Sequence, residues 1–252
     1  MKKFELTSET KINIFGKKLF RIKALISFAD VEAGETGGWV EKEGNVNQSG
    51  NAWVYGDAMV YGDAMVSGDA MVSGEAMVSG DSKVCGDAMV SGDARVYGNA
   101  KVSGNAKVSG NAEVSGNARV YGNAWVSGNA EVSGNARVYG NAMVYGDARV
   151  SGNAEVSGNA KVYGDAMVYG DAMVYGDAMV SGDADYTTIH GFGTQFRTTT
   201  FFRCKDKKVR VACGCFFGTI PEFREQVKNT RKGKIAEEYL MIADLMEKHF
   251  EK

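Results

Sequence analysis

The sequence predicts a mainly β protein: a parallel β-helix of hexapeptide repeats, capped at its N-terminal end by a β-hairpin and followed by a small C-terminal α+β domain. Three observations predict it. Glycine occupies every sixth position from Gly38 to Gly182, 25 times without a slip. From Gly50 the repeat reads Gly, Asn or Asp, Ala, a variable residue, Val, and Ser or Tyr, as in Gly98-Asn99-Ala100-Lys101-Val102-Ser103. The flanking segments lose this period and take up strand and helix spacing instead.

Within one repeat, alternate side chains of an extended segment face opposite ways. Ala100 and Val102 therefore point to one side, Lys101 and Ser103 to the other. Gly98 and Asn99 supply a corner, because Gly, Asn and Asp tolerate positive φ. Hexapeptides of this kind resemble the left-handed parallel β-helix family, in which three of them form a triangular coil of about 18 residues. That resemblance implies about eight coils, stacked at roughly 4.8 Å into a prism about 38 Å long. One coil buries too little valine to offset the ordering of its backbone, so coils persist only when stacked, and both ends need caps.

Composition narrows the function classes. The 252 residues include 33 glycines and one proline, Pro221. There is no apolar run of membrane-spanning length and no signal peptide, so a soluble, cytoplasmic protein with no membrane partner is expected. Cys85, Cys204, Cys213 and Cys215 are too sparse for a disulfide scaffold. The net charge of −2 conceals segregation: residues 44–187 carry 8 basic and 16 acidic side chains, whereas residues 188–252 carry 13 basic and 8 acidic. An acidic barrel disfavours nucleic acid as the partner, although acidic corners could also mimic it.

Residues 1–37 form the N-terminal β cap, with β-rich runs from Phe4 to Ile14 and Leu19 to Ile26 around Phe15-Gly16-Lys17-Lys18. The stretch Arg21-Ile22-Lys23-Ala24-Leu25, Phe28, Asp30-Val31, Gly34 and Gly37-Gly38-Trp39-Val40-Glu41 leads into Asn45, Gln48, Gly50-Asn51 and Trp53-Val54-Tyr55. Over roughly residues 20–185 the chain resembles an uncharacterised family of hexapeptide-repeat proteins, often labelled transferases and frequent in phage and prophage genomes. The resemblance implies a β-helix and a phage or prophage origin, and no established reaction. Hexapeptide acyltransferases use a histidine at a coil edge and a protruding loop. No repeat from Gly50 to Gly182 contains histidine, and no insertion breaks the period. The expected function is thus a non-enzymatic binding or scaffold protein acting on a host protein, such as a component of antiviral defence, without a cofactor. Acyl transfer is the alternative, and nucleic-acid binding or mimicry a further one.

Residues 38–187 make up the repeat barrel, whose outward variable positions sort into three columns when every eighteenth residue stacks. The first runs Trp53, Met71, Met89, Lys107, Trp125, Met143, Lys161, Met179. Its apolar members, with Tyr55, Tyr145 and Tyr163 beside them, form a strip larger than a soluble monomer leaves in water, so a homo-oligomer, trimer or dimer, is expected here. The second column runs from Met59 to Asp185 with mixed charge. The third stacks Lys83, Lys101, Arg119 and Arg137, where an anionic ligand or partner would relieve repulsion. At the corners Asn and Asp serve turn geometry equally well. The stacked Asp57, Glu75 and Asp93 could hold Ca²⁺, but solubility explains them more simply.

Residues 188–252 read as a β3α2 domain. Tyr186 to Ile189, Gln195 to Cys204 and Val209 to Phe217 are its strands. Thr219-Ile220-Pro221-Glu222 is a capping box that starts a helix near Pro221, and a second helix runs from about Lys234 to Phe250. Lys207, Lys208, Arg210, Arg231 and Lys232, interleaved with phenylalanines, are candidates for an anionic or protein contact. On one strand Cys213 and Cys215 would share a face across from Cys204, but this spacing does not match a zinc site, and no metal is expected.

Overall fold

The computed structural model describes residues 1–251. Three leader strands, β1 (Phe4–Ile12), β2 (Lys18–Ala24) and β3 (Thr36–Val40), precede a run of two-residue strands from β4 (Trp53–Val54) to β25 (Met179–Val180), one per hexapeptide. Every third strand stacks in parallel, which makes a β-solenoid of about eight coils with three faces. The first face is an 8-stranded sheet and the third a 7-stranded one, while the second has ten strands because β1 and β2 extend it antiparallel below β3. Register is one coil: Met89 lies opposite Lys107, Arg95 opposite Glu113, Lys101 opposite Arg119.

Inside, the repeat alanines and valines are essentially fully buried. Ser82 stands at an alanine position, and its hydroxyl donates to the Ser79 carbonyl at 2.7 Å. The corners require glycine twice over. Gly110 has φ +68°, and a Cβ there would lie 3.0 Å from the backbone N and O of Gly128.

Backbone polarity dictates the caps. The amides of Met89, Ser91 and Asp93 donate to the carbonyls of Ala106, Val108 and Gly110, each at 2.9 Å, so carbonyls face the N-terminal end and amides the C-terminal end. The first coil therefore presents orphan carbonyls, and the leader brings donors to them. Lys3 Nζ donates to the Ala52 carbonyl (2.7 Å) and Gly50 carbonyl (3.2 Å), Trp39 N to Ala58 (2.9 Å), and Asn45 Nδ2 to Ala64 (2.8 Å). At the other end acceptors answer orphan amides: Thr200 Oγ1 takes Met173 N at 3.0 Å, and Asp185 Oδ2 takes Ser181 N at 2.9 Å. This extends the logic of helix capping to a solenoid.

Lys3 is only 2% exposed, and burial pushes its pKa down to about 8, with nearby Asp69 opposing the shift. Between about pH 8 and the ordinary lysine value of 10.5 the unfolded chain keeps a proton that the native amine has shed. The contribution of this residue to stability should therefore rise with pH through that window, by as much as about 3 kcal/mol, while the neutral amine still donates to its carbonyls. Urea denaturation of wild type and Lys3→Met at pH 7.5 and 10 checks this. The wild-type advantage should grow with pH, and a constant difference would show that Lys3 does not titrate in that range.

Four strands, β26 (Tyr186–Phe192), β27 (Arg197–Arg203), β28 (Val209–Cys213) and β29 (Phe216–Thr219), form an antiparallel sheet, followed by α1 (Ile220–Thr230) and α2 (Gly233–Phe250). The sheet thus has four strands, not the three expected from sequence, because Val209–Phe217 is broken by a two-residue turn at Gly214-Cys215, where Gly214 has φ +59° and Cys213 pairs with Phe216. Both faces of this sheet are covered. Phe202, Ala212 and Tyr186 join the solenoid core, while Phe201 and Val211 pack with Phe223, Val227, Tyr239 and Met246 of the helices. Thr219 and Glu222 form the expected capping box.

Candidate binding faces

The first face lines up the residues expected of it, from Trp53 through Met71, Met89, Lys107, Trp125, Met143 and Lys161 to Met179. Trp53 must be withdrawn from that strip: it is fully buried, edge-on to Phe4 (5.9 Å) and Phe28 (5.4 Å) of the leader. Met71, Met89, Met143 and Met179 are half-buried by their neighbours, so the exposed apolar centre of the face is Trp125, 43% exposed, with its Nε1 donating to Ser109 Oγ at 3.1 Å. Beside this column Tyr145 and Tyr163 stack at 5.2 Å.

On the second face opposite charges pair, Arg95 with Glu113 (3.3 Å) and Arg149 with Glu131 (3.7 Å), with the two glutamates opposed between them. The third face differs. Lys83, Lys101, Arg119 and Arg137 are stacked in register and exposed, and the first three form no salt bridge among the described residues; Arg137 meets Glu155 at 3.2 Å. The rings of Tyr121 and Tyr139 stack beside Arg119 and Arg137, 4.9 Å apart and 2° from parallel.

Turn geometry treats Asn and Asp alike, as expected, but hydrogen bonds between successive coils discriminate them. Asn99 Nδ2 donates to Asn117 Oδ1 (3.2 Å), and the chain continues through Asn135 and Asn153 to Asp171. A second ladder runs from Asn105 through Asn123, Asn141 and Asn159 to Asp177. A third links Asn111, Asn129 and Asp147. An amide both donates and accepts, so it can propagate such a chain; a carboxylate only accepts, so it ends one.

The basic residues of the C-terminal part do not converge. Lys207 and Lys208 lie in the turn between β27 and β28, where Arg210 pairs with Asp206 at 2.7 Å. Arg231 and Lys232 lie between the two helices and line a separate groove with Arg197 and Tyr239 at the opposite end of the sheet. Arg224 is held by Asp244 and Glu247, and Arg203 by Asp185. Among the described residues no group of three or more His, Cys, Asp or Glu is placed to hold a metal ion. Cys213 ends β28 and Cys215 lies in the turn, so the two do not share a strand face, and the backbone of Cys204 forms a β-bridge with Ala178 of the last coil. The carboxyl shifts the structure imposes are downward: on Glu41 by the Gly62 amide and then Lys17, on Asp63 by Lys42, on Asp206 by Arg210, and on Glu247 by Arg224.

The β1–β2 hairpin turns where expected, around Phe15-Gly16-Lys17-Lys18, but the groove beneath its tip was not anticipated. Ile14 and Phe15 overhang the second face, and with Tyr61, Met77 and Tyr97 they line an open groove of about 650 Å³. The apolar Ile12, Ile14 and Phe15 around a turn were its only signal.

These features define the chain as a repeat β-helix protein. A family model described as the YdcK beta solenoid repeat matches at residues 52–68, 58–74, 82–98, 112–128, 130–146, 136–152 and 160–175, all within the solenoid. A search of curated proteins found no match.

Proposed function

We propose that the chain is a non-enzymatic scaffold, a rod that presents binding faces to protein partners, a second copy of itself among them. One observation carries the reading. The buried repeat positions are nearly constant Ala and Val, whereas the residues that change most from repeat to repeat stand outside in three straight columns. Turn and core chemistry do not call for that variety, and Trp125 is more than solubility needs. The downward carboxyl shifts suit structural ion pairs better than a poised general acid. The resemblance of the leader to phage and prophage proteins supports a host protein as partner, a defence component being one candidate, met in the host cytoplasm.

Light scattering tests the self-association arm. Wild type should be oligomeric at high micromolar concentration, and Trp125→Glu combined with Met143→Glu should give a folded monomer, since both side chains point away from the core. A monomeric wild type would remove the homo-oligomer from the proposal. Incubation with acetyl-coenzyme A and amine or hydroxyl acceptors should show no turnover. Turnover lost in His190→Ala, whose Nδ1 meets Thr198 Oγ1 at 3.1 Å in the native chain, would replace the scaffold by an acyltransferase.

A further inference from the structure

We propose that the third face is a docking surface for a short acidic polypeptide segment, a refinement that rests on the scaffold reading. Lys83, Lys101, Arg119 and Arg137 are neighbours in register, so like charges stand roughly 4.8 Å apart along the strand-stacking direction. Directly opposed like charges are destabilising in a sheet. The second face, built from the same repeat, opposes one like pair, Glu113 with Glu131, but gives each carboxylate an arginine on its other side, Arg95 and Arg149. The third face keeps its cations without such partners until Glu155.

Its borders strengthen the contrast. The corners flanking Lys101, Arg119 and Arg137 are Asn99, Asn117 and Asn135 on one side and Asn105, Asn123 and Asn141 on the other, bonded into neutral ladders. Most other corners of this rod are acidic. Around Lys101, Arg119 and Arg137 the carboxylates that would quench them are replaced by amides, so the positive field reaches solvent there, while Lys83 keeps Asp81 and Asp87 at its corners. The stacked Tyr121 and Tyr139 rings add an apolar strip beside the two arginines.

Length decides the class of partner. Four stacked cations span three coil steps, about 14 Å. Asp81 and Asp87 flank the first of them, Lys83, and Glu155, Asp171 and Asp177 lie beyond the last. A segment with a few carboxylates fits between these limits, whereas a nucleic acid continuing along the rod would meet its acidic ends.

The test measures fluorescence anisotropy of labelled octaglutamate and of a labelled single-stranded oligonucleotide at low ionic strength. Wild type should bind the peptide, and Lys101→Glu with Arg119→Glu should weaken it by at least about tenfold. Lys107→Glu with Lys161→Glu, the same charge change on the first face, should leave it nearly unaltered. Matching melting curves would show that both pairs leave the fold intact, as expected of outward side chains. No peptide binding by wild type, equal loss in the two pairs, or tighter binding of the oligonucleotide would each overturn the proposal. The Trp125→Glu, Met143→Glu protein should keep its peptide binding, so failure of self-association and failure of this face are read separately.

Discussion

Val114→Asp should abolish the cooperative fold. Val114 is fully buried, stacked between Val96 and Val132, and its surroundings are alanine and valine side chains with a backbone already hydrogen-bonded. Losing valine burial removes about 1.5–3 kcal/mol. An unpaired carboxylate adds a desolvation cost that takes the total toward the roughly 5–15 kcal/mol by which a whole domain is stable. Val114→Thr keeps the shape and adds one unsatisfied hydroxyl, worth about 1–3 kcal/mol, and should fold with a lowered melting temperature. Circular-dichroism melts of the soluble fractions give the comparison. A soluble aspartate variant that melts like wild type would mean that the column is not the core.

A chain ending at Asp185 should associate end to end or precipitate. The truncation strips Phe202 and Ala212 from the core and removes the Thr200 hydroxyl that accepts the Met173 amide. It leaves a row of amides beside an open column of Val174 and Val180, an unprotected edge of the kind that recruits other chains. Phe202→Ser should show a milder version, a loss on the order of 3–5 kcal/mol for a fully buried phenylalanine. Size-exclusion chromatography and thermal melts report both. A monodisperse truncated chain with an unchanged melt would reduce the C-terminal part to an appendage.

The periodic part of the fold was legible to the level of individual columns, because stacking at 18 residues assigns every neighbour once three repeats form a coil. What failed lay where periodicity meets something else. Parity points Trp53 outward, as it does Trp125, but only Trp53 has Phe4 and Phe28 folded over it by a leader that does not repeat. The run from Val209 to Phe217 has strand composition throughout, and a two-residue turn at Gly214-Cys215 needs only one glycine as its signal. Asn and Asp are equivalent within one corner and become different only when the next coil offers a donor or an acceptor. Of the candidate faces, the cation column and its asparagine corners could be written down from spacing, but the lack of salt bridges at Lys83, Lys101 and Arg119 among the described residues depends on side-chain geometry.

The constancy of the interior has an effect on how such a rod can change length. Each Val meets another Val one coil away, as Val90 meets Val108, so the core accepts any repeat in any slot. The exterior does not. Loss of a single hexapeptide would leave the packing intact yet turn everything beyond it by one third of a revolution, delivering Arg119 to the side that had carried Glu113 or Trp125. Only whole-coil changes would keep each side in phase. The inside is blind to reading phase and the outside encodes it, so a lineage could lengthen or shorten this rod freely while the identity of its faces confines it to steps of eighteen residues.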